Sequence, residues 1–329
     1  MYDILIVGAG PAGLAVAIEA KKKNLNHIII DKGSALNSIV GFPKDMTFFS
    51  TSELLEIGGI PFTSNDIRPT RREAILYYQK VIDHFNLNLK TYQKFINLHP
   101  QNDGFKITTK QFNSEISEEE NTYLSKHIVI ATGFYDHPKF LNVKGENLPH
   151  VSHYYSEPFP FYNCNVLVVG GGNSAVEAAL DMFRHGVKVT LLHKNRQIKQ
   201  SIKYWVLPDI QNRINQGSIP FIGNAKIMEI TKKGIYYKQN SHKKWHNCEY
   251  IFLLTGYEPD ESIYKICNIR YNKRTLEPEF NQKNYQSSIP GLYLAGSMIA
   301  GKYSNRIFIE NSRDHAKPII NDIIINLTR

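Results

Sequence analysis

Two stretches of the chain carry the same hydrophobic pattern, and together they predict most of its architecture. In the first, Asp3-Ile4-Leu5-Ile6-Val7 leads into Gly8-Ala9-Gly10-Pro11-Ala12-Gly13. In the second, Asn165-Val166-Leu167-Val168-Val169 leads into Gly170-Gly171-Gly172-Asn173-Ser174-Ala175. A short β-branched run that stops at glycine reads as a buried strand. The residues that follow, Leu14 to Lys23 and Val176 to His185, read as helices. Each helix is followed by a further apolar strand, Ile28-Ile29-Ile30 in one case and Val187 to Leu192 in the other. A strand–helix–strand unit written twice predicts an α/β protein with two Rossmann-like dinucleotide-binding domains.

The copies are not arranged end to end. The strand His127-Ile128-Val129-Ile130 closes on Ala131-Thr132-Gly133 before the second glycine loop. Its counterpart, Tyr250-Ile251-Phe252-Leu253-Leu254, closes on Thr255-Gly256 after that loop. A last pattern, Gly291-Leu292-Tyr293-Leu294-Ala295-Gly296, opens a C-terminal stretch that returns to the first domain. The expected division is therefore 1–154 with 263–329 for the first domain, and 155–262 for a second inserted into it. Lys106 to Lys126 alternates weakly and predicts an antiparallel hairpin, with an acidic turn at Glu118-Glu119-Glu120.

The glycine loops define the candidate chemistry. In such a loop the first glycine makes the tight turn, the second lets backbone approach a pyrophosphate, and the third lets helix and strand pack. The helix N-terminus then offers unpaired N–H groups and partial positive charge to the phosphates. Asp31 lies 23 residues after Gly8, at the end of the second strand, where an acid takes ribose hydroxyls. Gly8, Gly10, Pro11, Ala12, Gly13, Asp31 and the adjacent Lys32 are the first candidate site, with Ala131-Thr132-Gly133 beside it. The second comprises Gly170, Gly172, Asn173, Ser174 and Ala175. Its following strand ends in His193-Lys194-Asn195-Arg196, with no carboxylate. Lys194 and Arg196 suit a ribose 2′-phosphate, so this site predicts NADPH; the bland alternative is a basic surface turn. By analogy with enzymes that hold two nucleotides, the N-terminal site is assigned to a bound FAD.

Composition narrows the class without changing it. The chain has 329 residues, 42% hydrophobic and 21% charged, which excludes a disordered or collagen-like protein. The apolar stretch Ile4 to Ile18 is glycine-rich and shorter than the roughly 20 residues of a spanning helix. No signal peptide is read ahead of it, and the expected location is cytoplasmic. Cys164, Cys248 and Cys267 are too few and too scattered for a disulfide framework or a zinc site. Cys164 and Cys267 read as packing residues, and Cys248 falls in a polar hairpin. The net charge of +9 is spread along the chain except for a cluster at 194–203, so a nucleic-acid footprint is not expected. Twelve histidines include no HExxH and no metal set, and the pair His150 and His153 reads as part of an inter-domain hinge or a surface.

After the Asp31 strand, Phe42-Pro43-Lys44-Asp45-Met46-Thr47-Phe48-Phe49-Ser50-Thr51-Ser52 is expected to pass along the flavin, or else to pack as a core loop. Here the chain resembles a specific family. The general plan is similar to thioredoxin reductase. Thr47-Phe48-Phe49-Ser50, Ile57-Gly58, Pro61-Phe62, Arg71-Arg72 with Tyr77-Tyr78, and Ile130 to Tyr135 resemble the YpdA family of bacillithiol-disulfide reductases. His153-Tyr154, Asn173-Ser174-Ala175, Ser201-Ile202-Lys203 with Trp205, and Ile307-Phe308-Ile309-Glu310-Asn311 extend the resemblance over nearly the whole chain. It implies bound FAD, NADPH as donor, a low-molecular-weight disulfide such as bacillithiol disulfide as acceptor, and a homodimer. It also implies that Thr47, Phe48, Phe49, Ser50, Gly296, Arg306 and Ile307 lie at the flavin.

Two departures bear on mechanism. Many members of that family carry a cysteine after the proline of the first glycine loop, where this chain has Ala12. Thioredoxin reductases carry a Cys-x-x-Cys pair near the start of the nicotinamide domain, where His153 to Phe161 has none. Ser297 stands where those enzymes place an aspartate. The rival readings are a ferredoxin or quinone NADPH reductase of the same plan, a flavin monooxygenase-like enzyme, and a flavin-loaded sensor.

Overall fold

The computed structural model describes residues 1–113, 117–303 and 305–328. They form two compact units, one of residues 1–40, 46–137 and 257–329, the other of residues 41–45 and 138–256. The second is thus an insertion in the first. Segments 41–45, 138–154 and 257–262 fall on the opposite side of the division from that read in the sequence.

The first stretch of the first unit runs β1 (Tyr2–Val7), α1 (Pro11–Lys22), β2 (His27–Ile30), and short helices α2 (Asn37–Val40) and α3 (Ser52–Leu55). It continues with α4 (Arg71–Phe85), β3 (Leu89–Lys90), β4 (Gln93–Gln101), β5 (Gly104–Asn113) and β6 (Ser117–Ile130). The second unit holds β7 (Val151–Ser152), β8 (Asn165–Val169), α5 (Asn173–Arg184), β9 (Lys188–Leu192) and α6 (Leu207–Asn215). Strands β10 (Phe221–Ile222), β11 (Ala225–Thr231), β12 (Gly234–Gln239), β13 (His242–Asn247) and β14 (Tyr250–Leu253) complete it. The chain then re-enters the first unit with α7 (Glu261–Ile266), β15 (Leu292–Leu294), α8 (Ile309–Ser312) and α9 (Ala316–Leu327).

In the first unit the sheet order is β3-β2-β1-β6-β5-β4, with β15 also on β6. Strand β6 joins the antiparallel and parallel parts of this one sheet. Its first half pairs antiparallel with β5, and its last residues pair parallel with β1 and β15. The residues Ile4, Leu5, Ile6, Ile28, Ile29, Ile30, Ile128, Val129 and Ile130 are fully buried. A parallel sheet covered on both faces requires such unbroken apolar strands. The expected acidic turn is corrected: Glu118, Glu119 and Glu120 belong to β6, whose register sets Glu120 opposite Lys110. An opposite-charge cross-strand pair favours continued pairing there. The turn itself lies outside the described residues.

The second unit repeats the plan with order β10-β9-β8-β14-β7, all parallel, and adds the antiparallel sheet β11-β12-β13. Its two cores meet on opposite faces of β8. Val166 and Val168 pack toward α5, and Leu167 and Val169 toward β11 and β12. No helix of the described residues is long and apolar enough to cross a membrane.

Candidate cofactor sites

Each glycine loop joins the end of a central strand to the start of a helix, and steric contacts show why glycine is needed. Gly8 has φ +112°, and a Cβ there would stand 2.4 Å from the carbonyl oxygen of Ala131. A Cβ on Gly13 would lie 2.0 Å from the Gly8 oxygen. Around Gly10, by contrast, a Cβ would meet nothing within 4 Å. The first and third glycines close the turn, and the second faces open space, as a pyrophosphate cradle requires. Helix α1 begins after Gly10 with no side-chain cap and with Pro11 at its first position. Its first-turn N–H groups are therefore left for an external anion.

Asp31 sits at the end of β2, where its Oδ2 accepts from Ala9 N–H at 2.7 Å and its Oδ1 from Gly33 N–H at 2.8 Å. Burial raises its pKa, partly offset by these two bonds. The adjacent Lys32 pairs with Asp136 at 3.1 Å. Ala131, Thr132 and Gly133 run against the same loop. Ala131 N–H donates to Val7 at 2.8 Å, and Thr132 Oγ1 lies 3.8 Å from Met298 Sδ. Gly296 also reaches the loop, since a Cβ there would be 3.0 Å from Ala12 Cβ. Three segments far apart in sequence thus converge on one strand end.

His315 and Glu310 were not singled out as site residues in the sequence. The buried His315 accepts from Gly296 N–H through Nδ1 at 3.3 Å and stacks on Tyr285. Burial lowers its pKa to about 4, so the imidazole is neutral. Ser50 Oγ donates to Glu310 at 2.8 Å, tying the 47–50 segment to the α8 segment. Phe48 is buried and Phe49 is 55% exposed, so only the first has the packing role that the bland reading gives this loop. Arg306 pairs with Glu277 at 3.2 Å and lies over Tyr303, while Ile307 packs on the core of the first unit. No periodic pattern marks the histidine. Glu310 stood within a matched motif but had no partner to give it a role.

The second loop repeats the geometry. Gly170 has φ +152°, and its Cβ would lie 2.4 Å from Leu254 O and 2.7 Å from Ala175 Cβ, whereas Gly172 faces open space. Helix α5 starts at Asn173 with no side-chain cap. His193 is buried with its ring against Gly171, and burial with Lys199 and Lys194 nearby lowers its pKa. Lys194 and Arg196 are exposed just beyond it, and Asn173 and Ser174 are exposed at the helix start. Backbone bonds from Ala225 to His193 and from Asn224 to Asn195 hold this strand end.

None of the three cysteines belongs to either glycine loop. Cys267 is buried in the core of the first unit and Cys248 in that of the second, and desolvation pushes each thiol up to about 12. The expected polar setting of Cys248 is corrected, because it turns inward after β13 beside Ile251 and Tyr237. Cys164 is half-buried, with Sγ 3.7 Å from Tyr162 O. His150 and His153 both belong to the second unit, where His150 contacts Thr231 O and His153 faces the buried Glu146 at 3.4 Å. Among the described residues no cluster of His, Cys, Asp or Glu could hold a metal ion.

Comparisons with known proteins identify the family and the fold. Residues 5–296 match the family described as pyridine nucleotide-disulphide oxidoreductase. The bacilliredoxin reductase Bdr of Bacillus subtilis is 34% identical over 97% of this chain and 96% of its own. The bacillithiol disulfide reductase Bdr (YpdA) of Bacillus cereus has a solved structure with TM-score 0.95 at 32% identity, covering 99% of each chain. Its Staphylococcus aureus counterpart gives TM-score 0.92 at 34% identity, covering 99% of this chain and 98% of that one.

Proposed function

The chain belongs to the pyridine nucleotide-disulphide oxidoreductases, an FAD- and NADPH-dependent flavoprotein, and on that premise we propose that it reduces a low-molecular-weight thiol disulfide, bacillithiol disulfide being the leading candidate. The observation that carries this reading is the pair of open glycine cradles, each at a helix start without a side-chain cap, in a chain matched end to end by Bdr proteins. Bound FAD would accept two electrons from NADPH and pass them on. One NADPH, one proton and one disulfide are consumed, giving NADP+ and two thiols.

In this reading the first unit, expected from the sequence at 1–154 and 263–329, binds FAD, and the second, expected at 155–262, binds NADPH. Gly10, Ala12 and Gly13 offer backbone to the FAD pyrophosphate, while Asp31 holds its ribose. The segments 47–50, 131–133 and 296–297, with Arg306 and Ile307, surround the rest. Gly172, Asn173 and Ser174 take the NADPH pyrophosphate, and Lys194 and Arg196 its 2′-phosphate. Disulfide exchange through the protein would need an attacking thiolate. Ala12 supplies none, and thiols with pKa near 12 supply almost none at neutral pH. Cys164 precedes β8, at the end of that strand away from the glycine loop. In this reading the electrons pass to the disulfide without a protein-thiol relay. A homodimer in the cytoplasm completes the reading.

Purified yellow protein tested against thiol disulfides, ferredoxin, quinones and oxygen decides the acceptor. NADPH consumption stimulated most by bacillithiol disulfide supports the proposal. Stimulation by ferredoxin or a quinone with none by any small disulfide rejects it.

A further inference from the structure

Between β9 and α6 the chain crosses the mouth of the second glycine loop. Lys199 N–H donates to Gly171 O at 3.2 Å, and Lys203 N–H donates to Asn173 Oδ1 at 2.9 Å. Asn173 and Glu177 are four residues apart at the start of α5, so they share a helix face. Lys203 spans both. Its ammonium lies 2.8 and 3.0 Å from the two carboxylate oxygens of Glu177, and its side chain is only 10% exposed. The carbonyl of Lys203 also accepts from Val206 and Leu207, at the entry to α6.

The charges here pose a problem. A helix N-terminus with an open glycine attracts an anion, yet Glu177 places a carboxylate one turn into that same helix. Lys194, Arg196 and Lys199 are exposed, whereas Lys203 is held inward on the carboxylate. We propose that Lys203 is a positioning and charge-balancing residue of the dinucleotide site: it cancels Glu177 beside the glycine cradle and fastens the 199–203 crossing, so that an anionic cofactor can bind. Glu177 without its partner repels the cofactor phosphates. The ion pair is thus a determinant of cofactor affinity that contributes no direct phosphate contact. This inference rests on the second loop being the NADPH site.

The test uses the full chain with FAD bound and titrates it with NADP+ and with 2′,5′-ADP by calorimetry, alongside NADPH kinetics. Lys203→Met keeps the aliphatic stem and every backbone bond while leaving Glu177 bare. It should weaken NADP+ binding and raise the NADPH KM by about tenfold, the scale of one charge repulsion near a protein surface, while kcat changes less than twofold. Higher ionic strength should narrow the defect by screening. Lys203→Met combined with Glu177→Gln should restore binding to within about threefold, because the repelling charge is gone. A pair that serves only folding would lower kcat or stability and show no salt dependence. Unchanged NADP+ affinity in Lys203→Met, or no rescue by Glu177→Gln, overturns the inference. The Lys194→Ala/Arg196→Ala variant separates the two levels. If it too leaves NADP+ affinity unchanged, the site assignment has failed; if it alone weakens binding, only the role of Lys203 has.

Discussion

At the scale of single residues, the steric map distinguishes glycines that hold the fold from those that face ligand. Gly8 and Gly13 cannot carry a Cβ without meeting backbone, whereas Gly10 can. Gly10→Val should therefore fold, with an unfolding midpoint close to that of the parent stripped of flavin, and lose its flavin absorbance because the side chain occupies the pyrophosphate position. A folded variant that still purifies yellow would contradict this assignment. Lys194→Ala/Arg196→Ala should narrow the preference for NADPH over NADH by about two to four orders of magnitude, since each of the two charge-assisted contacts contributes about 1.5–3 kcal/mol, or about one to two orders. Flavin-reduction rates with both nucleotides measure it. These residues were legible in the sequence because a glycine fingerprint and a missing carboxylate are local signals. His315 was not, because its role depends on meeting Gly296 across the fold.

At the scale of elements, two devices hold parts of the first unit in place. Helix α4 opens with a reciprocal capping box, in which Thr70 accepts from Glu73 N–H and the Glu73 carboxylate accepts from Thr70 N–H. Its Tyr77 and Tyr78 hydroxyls then donate to the backbone of Ile60 and Leu55, holding the loop before it. Thr70→Ala should cost about 1 kcal/mol in denaturant unfolding, with flavin content retained. The second device is the neutral His315. Its pKa is lowered from 6.5 to about 4, so the unfolded chain binds its proton first as pH falls. Its contribution is fully present above pH 6.5 and is lost on acidification through that window, up to about 3 kcal/mol. His315→Gln keeps an acceptor for Gly296 and removes the titration. Its urea midpoint should fall less steeply between pH 6.5 and 4 than the parent's, and parallel curves would refute the assignment. The helix and strand types were readable from periodicity, because buried parallel strands are unbroken apolar runs. The end of the hairpin was not: three consecutive glutamates look like a turn until the opposite strand supplies Lys110.

At the scale of the whole molecule, the interrupted first unit was legible because the glycine loops and the C-terminal strand are each locally marked. The allocation of the crossing segments was not. It depends on pairings such as β7 with β14 and Lys139 with Gly256, which no local pattern announces. The charge is also unevenly divided. Residues 41–45 and 138–256 hold 16 lysines and arginines against 8 acids, net +8, and the remainder holds 23 against 22, net +1. The excess therefore belongs to the unit that carries the Lys194–Arg196 strand end. The central claim is that this oxidoreductase delivers NADPH electrons to a small disulfide with no protein thiol in the path. Its most direct test replaces all three cysteines at once, as Cys164→Ser, Cys248→Ala and Cys267→Ala, and follows NADPH oxidation with bacillithiol disulfide. The account predicts turnover within about threefold of the parent, a margin of under 1 kcal/mol in barrier. Loss of disulfide turnover in a folded, yellow variant whose flavin is still reduced by NADPH would contradict it.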